Sequence, residues 1–214
     1  MRIAVVDYGI GNLRSAEKAL QHLGVDATLT ADADAIAAAD AVVLPGVGAF
    51  GACMRALRDS GLEPVAKEAA TDGRPFLGVC VGMQMLFDGS DESPEVPGLG
   101  VVAGRVTRLP DTERLPQIGW NTLEVRPASR LAAGLGQEPW LYFVHSFAPD
   151  PADDGVVAAW CTYGRRFAAA IETGPLWATQ FHPEKSSDAG LRLLTNFVEA
   201  AARVLDRSPD AGAA

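Results

Sequence analysis

Cysteine and histidine are both scarce in this sequence of 214 residues, with three of each. The cysteines, Cys53, Cys80 and Cys161, are odd in number and far apart, a pattern that favours neither a disulfide framework nor a zinc site. Basic residues are also few, since 18 Lys and Arg stand against 27 Asp and Glu and give a formal net charge of −9. A surface of that sign argues against nucleic-acid binding. We therefore expect no bound metal and no nucleic-acid partner.

Long hydrophobic runs are missing as well. No apolar stretch approaches the roughly 18 residues that a membrane-spanning helix needs. Residues 1–7 reach an acidic side chain too early for a signal peptide and are typical of a first strand. These absences predict a cytoplasmic protein with no membrane partner. The length suits one domain, which we expect over residues 1–205, followed by a disordered tail at 206–214.

The first half of the sequence alternates between two kinds of segment. Short apolar runs predict buried parallel strands, and amphipathic stretches between them predict helices. The strands are predicted at residues 3–6, 41–44 and 76–79, and the helices at about 13–23, 50–59 and 62–71. This order indicates an α/β fold with a doubly wound, mostly parallel central sheet. Short strands dominate residues 99–182 and predict an antiparallel extension of that sheet, before a last helix over about 187–205.

Cys80 has the most distinctive surroundings, in the segment Gly78-Val79-Cys80-Val81-Gly82. This is the thiol version of the G-x-S-x-G nucleophile elbow, where glycines on both sides allow a sharp strand-to-helix turn. Such a turn lifts the sulfur above the sheet edge, and the N-terminus of the following helix favours the thiolate. A lone cysteine is more often a small buried hydrophobe. The two glycines favour a nucleophile instead.

A cysteine nucleophile needs a base, and the three histidines are the candidates. His22 falls within an amphipathic helix, whereas His145 and His182 end apolar strands. Only His182 is followed by Pro183 and Glu184, and strand alternation would put the histidine and the carboxylate on one face. Pro183 favours an extended backbone at His182. A lone histidine is more often part of the core, but the adjacent carboxylate favours a base with its orienting group.

Residues 46–51 match the G-x-G-x-x-G pattern of dinucleotide sites, following a strand and opening a helix. The acidic residue that would hold a ribose is missing from the end of the next strand, which ends at Cys80 instead. Turns after parallel strands open at one edge of the sheet, so backbone amides at Val47 and Gly48 should lie at the same edge as Cys80. We expect this turn to form part of an oxyanion hole.

Several separated segments that include these residues resemble the class I, or triad-type, glutamine amidotransferases. The segments are residues 7–13, 45–50, 78–84, 116–121, 142–147 and 180–186. They follow the order of that family over residues 1 to about 205. The resemblance implies a flavodoxin-like architecture and the hydrolysis of L-glutamine to glutamate and ammonia through a thioester, without a cofactor.

The resemblance also implies roles for individual residues. Cys80 would be the nucleophile, His182 the base and Glu184 its orienting carboxylate. The implied oxyanion hole consists of backbone at Val47, Gly48 and Val81. The implied glutamine contacts are Gly48, Gln84, His145, Ser146 and Phe147.

Within this family, the motifs resemble most the glutaminase subunits of imidazole glycerol phosphate synthase, from histidine biosynthesis. Such subunits form a heterodimer with a cyclase subunit, a (β/α)8 barrel that receives the ammonia. The resemblance implies that a partner of this kind docks around Asn12, Trp120 and Lys185.

Three other interpretations stay open. A glutaminase of pyridoxal phosphate or anthranilate synthesis would share the fold, although the segments 117–121 and 142–147 argue against it. A cysteine hydrolase of similar topology would keep the Cys80 elbow but not the His182-Pro183-Glu184 segment. A non-enzymatic flavodoxin-like regulator is the third, and a glutaminase assay with the partner present distinguishes it from the rest.

Overall fold

A computed structural model describes residues 1–10 and 13–206 of the chain. Its first half alternates strands and helices as the sequence pattern predicts, with one additional short helix, α2. In chain order the elements are β1 (Arg2–Val6), α1 (Arg14–His22), β2 (Asp26–Thr30), α2 (Ala33–Ala37), β3 (Ala41–Gly46), α3 (Phe50–Asp59), α4 (Glu63–Thr71), β4 (Phe76–Cys80) and α5 (Val81–Met85).

Short strands make up most of the second half, which ends in the longest helix. The elements are β5 (Gly89–Ser90), β6 (Gly104–Arg108), β7 (Gln117–Thr122), β8 (Glu124–Val125), β9 (Trp140–His145), β10 (Phe147–Pro151), β11 (Val157–Tyr163), β12 (Arg165–Thr173), β13 (Leu176–Thr179) and α6 (Ser187–Asp206). Two short 3-10 turns, Asp154–Val156 and Pro183–Lys185, complete the described chain.

An eight-stranded sheet forms the centre, in the order β2-β1-β3-β4-β13-β12-β11-β8. The neighbours among the first five strands of that order pair in parallel, and β12, β11 and β8 add antiparallel pairs. Every residue of β3 and β4 is buried, so both faces of the sheet are covered there. The predicted α/β class, with a mostly parallel sheet and an antiparallel extension, is confirmed.

The extension is smaller than the sequence predicts. Strands β5, β6 and β10 form one separate sheet, and β7 and β9 form another. The predicted antiparallel half also includes β13, which in fact pairs in parallel with β4 on one side and antiparallel with β12 on the other. Alternation of apolar residues predicts which side chains face inward, but it does not determine which strand lies alongside.

The last helix lies at the predicted C-terminal boundary of the domain. Helix α6 ends at Asp206, and the rest of the predicted 206–214 tail lies outside the described residues. A single domain over residues 1–205 stays a prediction. None of the helices in the described ranges is long and apolar enough to cross a membrane.

Candidate active site

The chain turns sharply from β4 into α5 at Cys80, whose φ of 56° and ψ of −113° are strained for a residue with a side chain. The flanking glycines are required by close packing. A Cβ on Gly78 would lie 3.1 Å from the carbonyl oxygen of Gly82, and a Cβ on Gly82 would overlap the backbone of Leu44. The elbow therefore folds because both neighbours lack side chains.

The turn after β3 lies directly beside this elbow. Gly46 pairs with Cys80 in the parallel register of β3 and β4. A Cβ on Gly46 would lie 2.6 Å from the backbone nitrogen of Gly82, so glycine is needed for this close approach. Gly48 has a φ of +92°, in the region that favours glycine. The sheet thus places the Val47–Gly48 peptide next to the cysteine.

His182 reaches the same place from the chain that follows β13. Its backbone N–H donates to the carbonyl of Tyr142 at 3.0 Å, and its carbonyl accepts from the Ser186 hydroxyl at 2.6 Å. Its Nδ1 lies 2.8 Å from Oε1 of Glu184. Because a carboxylate only accepts, Nδ1 carries the hydrogen and donates it. The other ring nitrogen, Nε2, does not contact Glu184 and is available for proton transfer.

The predicted strand alternation at His182 and Glu184 is wrong. Strand β13 ends at Thr179, and Glu184 lies in the 3-10 turn Pro183–Lys185. His182 is extended, with φ −100° and ψ 99°, as the following proline favours. The turn, and not strand alternation, brings the carboxylate back to the imidazole.

The two buried histidines of the site have opposite electrostatic surroundings. Burial alone would lower the pKa of His182, but the electrostatic interactions with the nearby Cys80 and Glu184 outweigh it and raise that pKa to about 10. For His145, burial is the main cause that lowers the pKa to about 4; the hydrogen bond to the Phe147 carbonyl opposes this shift, and the nearby His182 and Arg165 charges add to it. His182 is thus suited to hold a proton, and His145 stays neutral.

A cavity of about 450 Å³ opens at this edge of the sheet. Every residue predicted for the oxyanion hole or for glutamine contacts lies on its wall. The lining residues are Val47, Gly48, Cys80, Val81, Gln84, Glu92, Pro116, Val144, His145, Ser146, Phe147, His182 and Lys185. Of the predicted partner contacts, Lys185 lines this cavity, Trp120 is half exposed on β7, and Asn12 lies outside the described residues.

Two further residues of the site have no role in the sequence-based prediction. The amide nitrogen of Gln180 lies 3.8 Å from the Cys80 sulfur, and its oxygen accepts from Gln84 at 2.9 Å. Glu92 lines the cavity and accepts from the backbone N–H of Phe50 at 2.7 Å, at the start of α3. Gln180 is a polar residue at the end of an apolar run, and this contrast in the sequence could have indicated that it belongs to the site. The acidic loop around Glu92 has no periodicity that would distinguish one carboxylate from another.

Unpaired polar atoms concentrate here. Nε2 of His145, Nε2 of His182 and Oε1 of Gln117 are buried and have no hydrogen-bond partner among the described residues. Both histidines line the cavity. Since an unpaired buried polar group is unfavourable, such atoms are expected where a ligand supplies the partner. No cluster of potential metal ligands is found in residues 1–10 and 13–206.

The sequence and the fold both match known proteins. A family model for class-I glutamine amidotransferases matches residues 4–201. The imidazole glycerol phosphate synthase subunit HisH of Methanothermobacter thermautotrophicus is 49% identical, over 92% of this chain and 98% of its own. The HisH subunit of Mycolicibacterium paratuberculosis is 50% identical, over 92% and 97%. A crystal structure of a glutamine amidotransferase superposes with a TM-score of 0.73 at 25% identity, over 93% of this chain and 98% of that one.

The chain therefore belongs to the class-I glutamine amidotransferases. Within that class, it belongs with the HisH subunits of imidazole glycerol phosphate synthase. The predicted family and enzyme class are confirmed. The roles of the individual residues remain predictions.

Proposed function

We propose that this protein hydrolyses L-glutamine to glutamate and ammonia at Cys80, and passes the ammonia to the cyclase subunit of imidazole glycerol phosphate synthase. One observation carries the proposal: the strained Cys80 elbow shares a cavity with His182, whose Nδ1 is bound to Glu184 at 2.8 Å. A nucleophile, a base and the group that orients the base are the parts that acyl transfer needs. No cofactor takes part, and we expect the complex to be cytoplasmic.

In the first half of the reaction, Nε2 of His182 takes the proton of the Cys80 thiol as the sulfur adds to the carboxamide carbon, and the carbonyl electron pair moves onto oxygen. Val81 is the first residue of α5, so its N–H has no partner within the helix and can donate to this oxyanion together with the Val47–Gly48 turn. His182 then gives its Nε2 proton to the leaving nitrogen. The C–N bond breaks, ammonia departs and a thioester remains.

In the second half, the neutral Nε2 of His182 takes a proton from water as the water oxygen adds to the thioester carbon. The C–S bond breaks, the proton on Nε2 returns to the Cys80 sulfur and glutamate is released. Glu184 keeps the imidazole in one tautomer through both halves and stabilises its charged form.

The cavity wall suits glutamine. Glu92 supplies a negative charge for the α-ammonium group of the substrate. Nδ1 of His145 lies 2.8 Å from the carbonyl of Phe147, which only accepts, so Nε2 is an unprotonated acceptor for an N–H of the ligand. Gln84 donates to the same carbonyl at 3.0 Å and so fixes the wall on that side.

An apolar face next to the cavity suits a protein partner. Ile118, Trp120 and Trp140 are 65%, 49% and 59% exposed on the outer face of β7 and β9, while Pro116 and Val144 of the same region line the cavity. Exposed aromatic side chains of this kind anchor protein interfaces. We propose that a (β/α)8-barrel cyclase docks here to form a heterodimer, with Asn12, Trp120 and Lys185 as contacts.

The test is one assay of the complex with two nitrogen donors. In the Cys80→Ala variant, product formation from glutamine should fall by at least about 10³-fold, because the nucleophile is gone. Product formation from added ammonia should continue, because only the ammonia source is lost. The matched control is Cys161→Ala, which removes a buried thiol from β11 and should leave both reactions intact.

Two results would contradict the proposal. One is glutamine-dependent product formation that survives in Cys80→Ala. The other is full glutaminase activity of the isolated chain that no cyclase changes, which would favour a free-standing hydrolase.

A further inference from the structure

The turn after β3, which contains Val47 and Gly48, is held by hydrogen bonds on its side away from the cavity. The hydroxyl of Tyr8 donates to the carbonyl of Pro45 at 2.8 Å, and the thiol of Cys53 donates to the carbonyl of Val47 at 3.2 Å. Tyr8 is 4% exposed and Cys53 is fully buried in the first turns of α3. Neither side chain lines the cavity, whereas Val47 and Gly48 do. Both hydrogen bonds therefore hold the backbone of the turn on the side opposite the cavity.

The bond to Val47 determines which way the next amide points. In a trans peptide the carbonyl of one residue and the N–H of the following residue point in opposite directions within one plane. When the Val47 oxygen is held toward Cys53 and α3, the Gly48 N–H points away from α3, toward the cavity that Gly48 lines. The Cys53 bond thus selects the orientation in which this N–H faces the position of the reacting carbonyl.

The turn needs such a tie because its own residues do not fix it. Gly48 has a φ of +92° and no side chain, so rotation of the Val47–Gly48 peptide meets little steric resistance. Burial raises the pKa of Cys53, so its sulfur keeps the hydrogen that it donates. A thiol is a weak donor, which makes the expected effect moderate.

We propose that Cys53 is a positioning residue for the oxyanion hole, whose thiol holds the Val47–Gly48 peptide with the Gly48 N–H facing the substrate. This rests on the proposed function. Cys53 touches neither substrate nor the reacting atoms, and acts through the backbone.

The test compares Cys53→Ala and Cys53→Ser in the complex with the cyclase. Complete loss of one oxyanion donor lowers kcat by about 10²–10³-fold, and a peptide that is only released should lose part of that, about tenfold. We expect Cys53→Ala to lower kcat for glutamine hydrolysis by about this factor, with KM changed less than about twofold, because the contact forms mainly in the transition state. Cys53→Ser keeps a donor at the same place and should restore most of the rate.

Two controls separate positioning from general damage. Alkylation of Cys80 by iodoacetamide forms no oxyanion, so its rate should be the same in Cys53→Ala and the wild type. Cys161→Ala removes another buried thiol and should keep the wild-type kcat. A kcat of Cys53→Ala within twofold of the wild type, a Cys53→Ser variant no faster than Cys53→Ala, or an equal loss in Cys161→Ala would overturn the inference. A wild-type complex that does not hydrolyse glutamine would instead overturn the proposed function.

Discussion

The central sheet has one edge where the parallel strands begin and one where they end. These two edges differ in how completely their buried polar groups are hydrogen-bonded. At the edge where β4 and β13 begin, the carboxylate of Glu172 is fully paired. It accepts four hydrogen bonds, from the Ser129 hydroxyl, the Arg130 backbone N–H and Nε, and the Leu131 backbone N–H. Arg130 also donates to the carbonyl of Gly174 and lies 5.7 Å over the Trp177 ring. This edge stabilises the fold.

At the edge where the same strands end, pairing is incomplete. His145 and His182 each keep a buried Nε2 without a partner among the described residues, and Cys80 has a strained backbone. An unsatisfied buried polar atom costs about 1–3 kcal/mol. The strained elbow and both unpaired ring nitrogens thus lie at the edge that holds the cavity of the proposed reaction.

The largest expected effect separates the two unpaired histidines. His182→Asn should lower kcat for glutamine hydrolysis by about 10²–10⁴-fold, because the proton carrier is lost. His145→Ala should act mainly on KM, since the neutral His145 offers only an acceptor to the substrate. Steady-state kinetics of both variants in the complex measures this difference. A greater loss of kcat in His145→Ala than in His182→Asn would reverse the assignment.

The second largest effect concerns the influence of the Glu184 carboxylate on the pKa of His182. Its negative charge contributes to the raised pKa of His182, so Glu184→Gln should lower that pKa. The imidazolium that protonates the leaving nitrogen is then lost at lower pH. We expect the alkaline limb of the pH profile of kcat/KM to move down by about one unit or more, the usual effect of a close opposite charge.

The limb of the wild type is the reference for this shift. Glu199→Gln, an exposed carboxylate on α6, is the matched control and should leave the profile in place. An unmoved alkaline limb in Glu184→Gln would mean that this carboxylate does not govern the charge of His182.

The smallest effect on activity is expected at the paired edge. Glu172→Gln removes the charge from a side chain that is 13% exposed and accepts four bonds, so the free energy of unfolding should fall by about 1–3 kcal/mol. Glutaminase kcat should stay within about twofold of the wild type. Denaturant unfolding and kinetics on one preparation measure both. Lost activity at unchanged stability would contradict the division between the edges.

Much of the fold could be predicted from the sequence because its signals are local. Apart from the exposed Arg2 at the start of β1, the runs that form β1, β3 and β4 contain no charged residue, as expected of strands covered on both faces. The pairing of β7 with β9 and of β6 with β10 depends on contacts between distant segments. No local pattern in these short strands specifies such partners.

The residues of the candidate site also differ in whether a local sequence pattern identifies them. Gly78 and Gly82 identify the Cys80 elbow in the sequence, because a Cβ on Gly82 would overlap the Leu44 backbone and a Cβ on Gly78 would lie only 3.1 Å from the Gly82 carbonyl oxygen. The tie from Cys53 to the Val47 carbonyl joins residues six positions apart through a weak donor and leaves no pattern in the sequence. The contact of Glu92 with the start of α3 spans 42 positions and was equally beyond prediction.

The central claim, that Cys80 is the nucleophile, is tested most directly by labelling the complex with a diazo-ketone analogue of glutamine. The adduct is located by mass spectrometry of the intact chain and of its peptides. We predict one adduct per chain, on Cys80, with a labelling rate that glutamine lowers by competition. Label shared equally with Cys53 and Cys161, or labelling of Cys80 that glutamine does not slow, would contradict it.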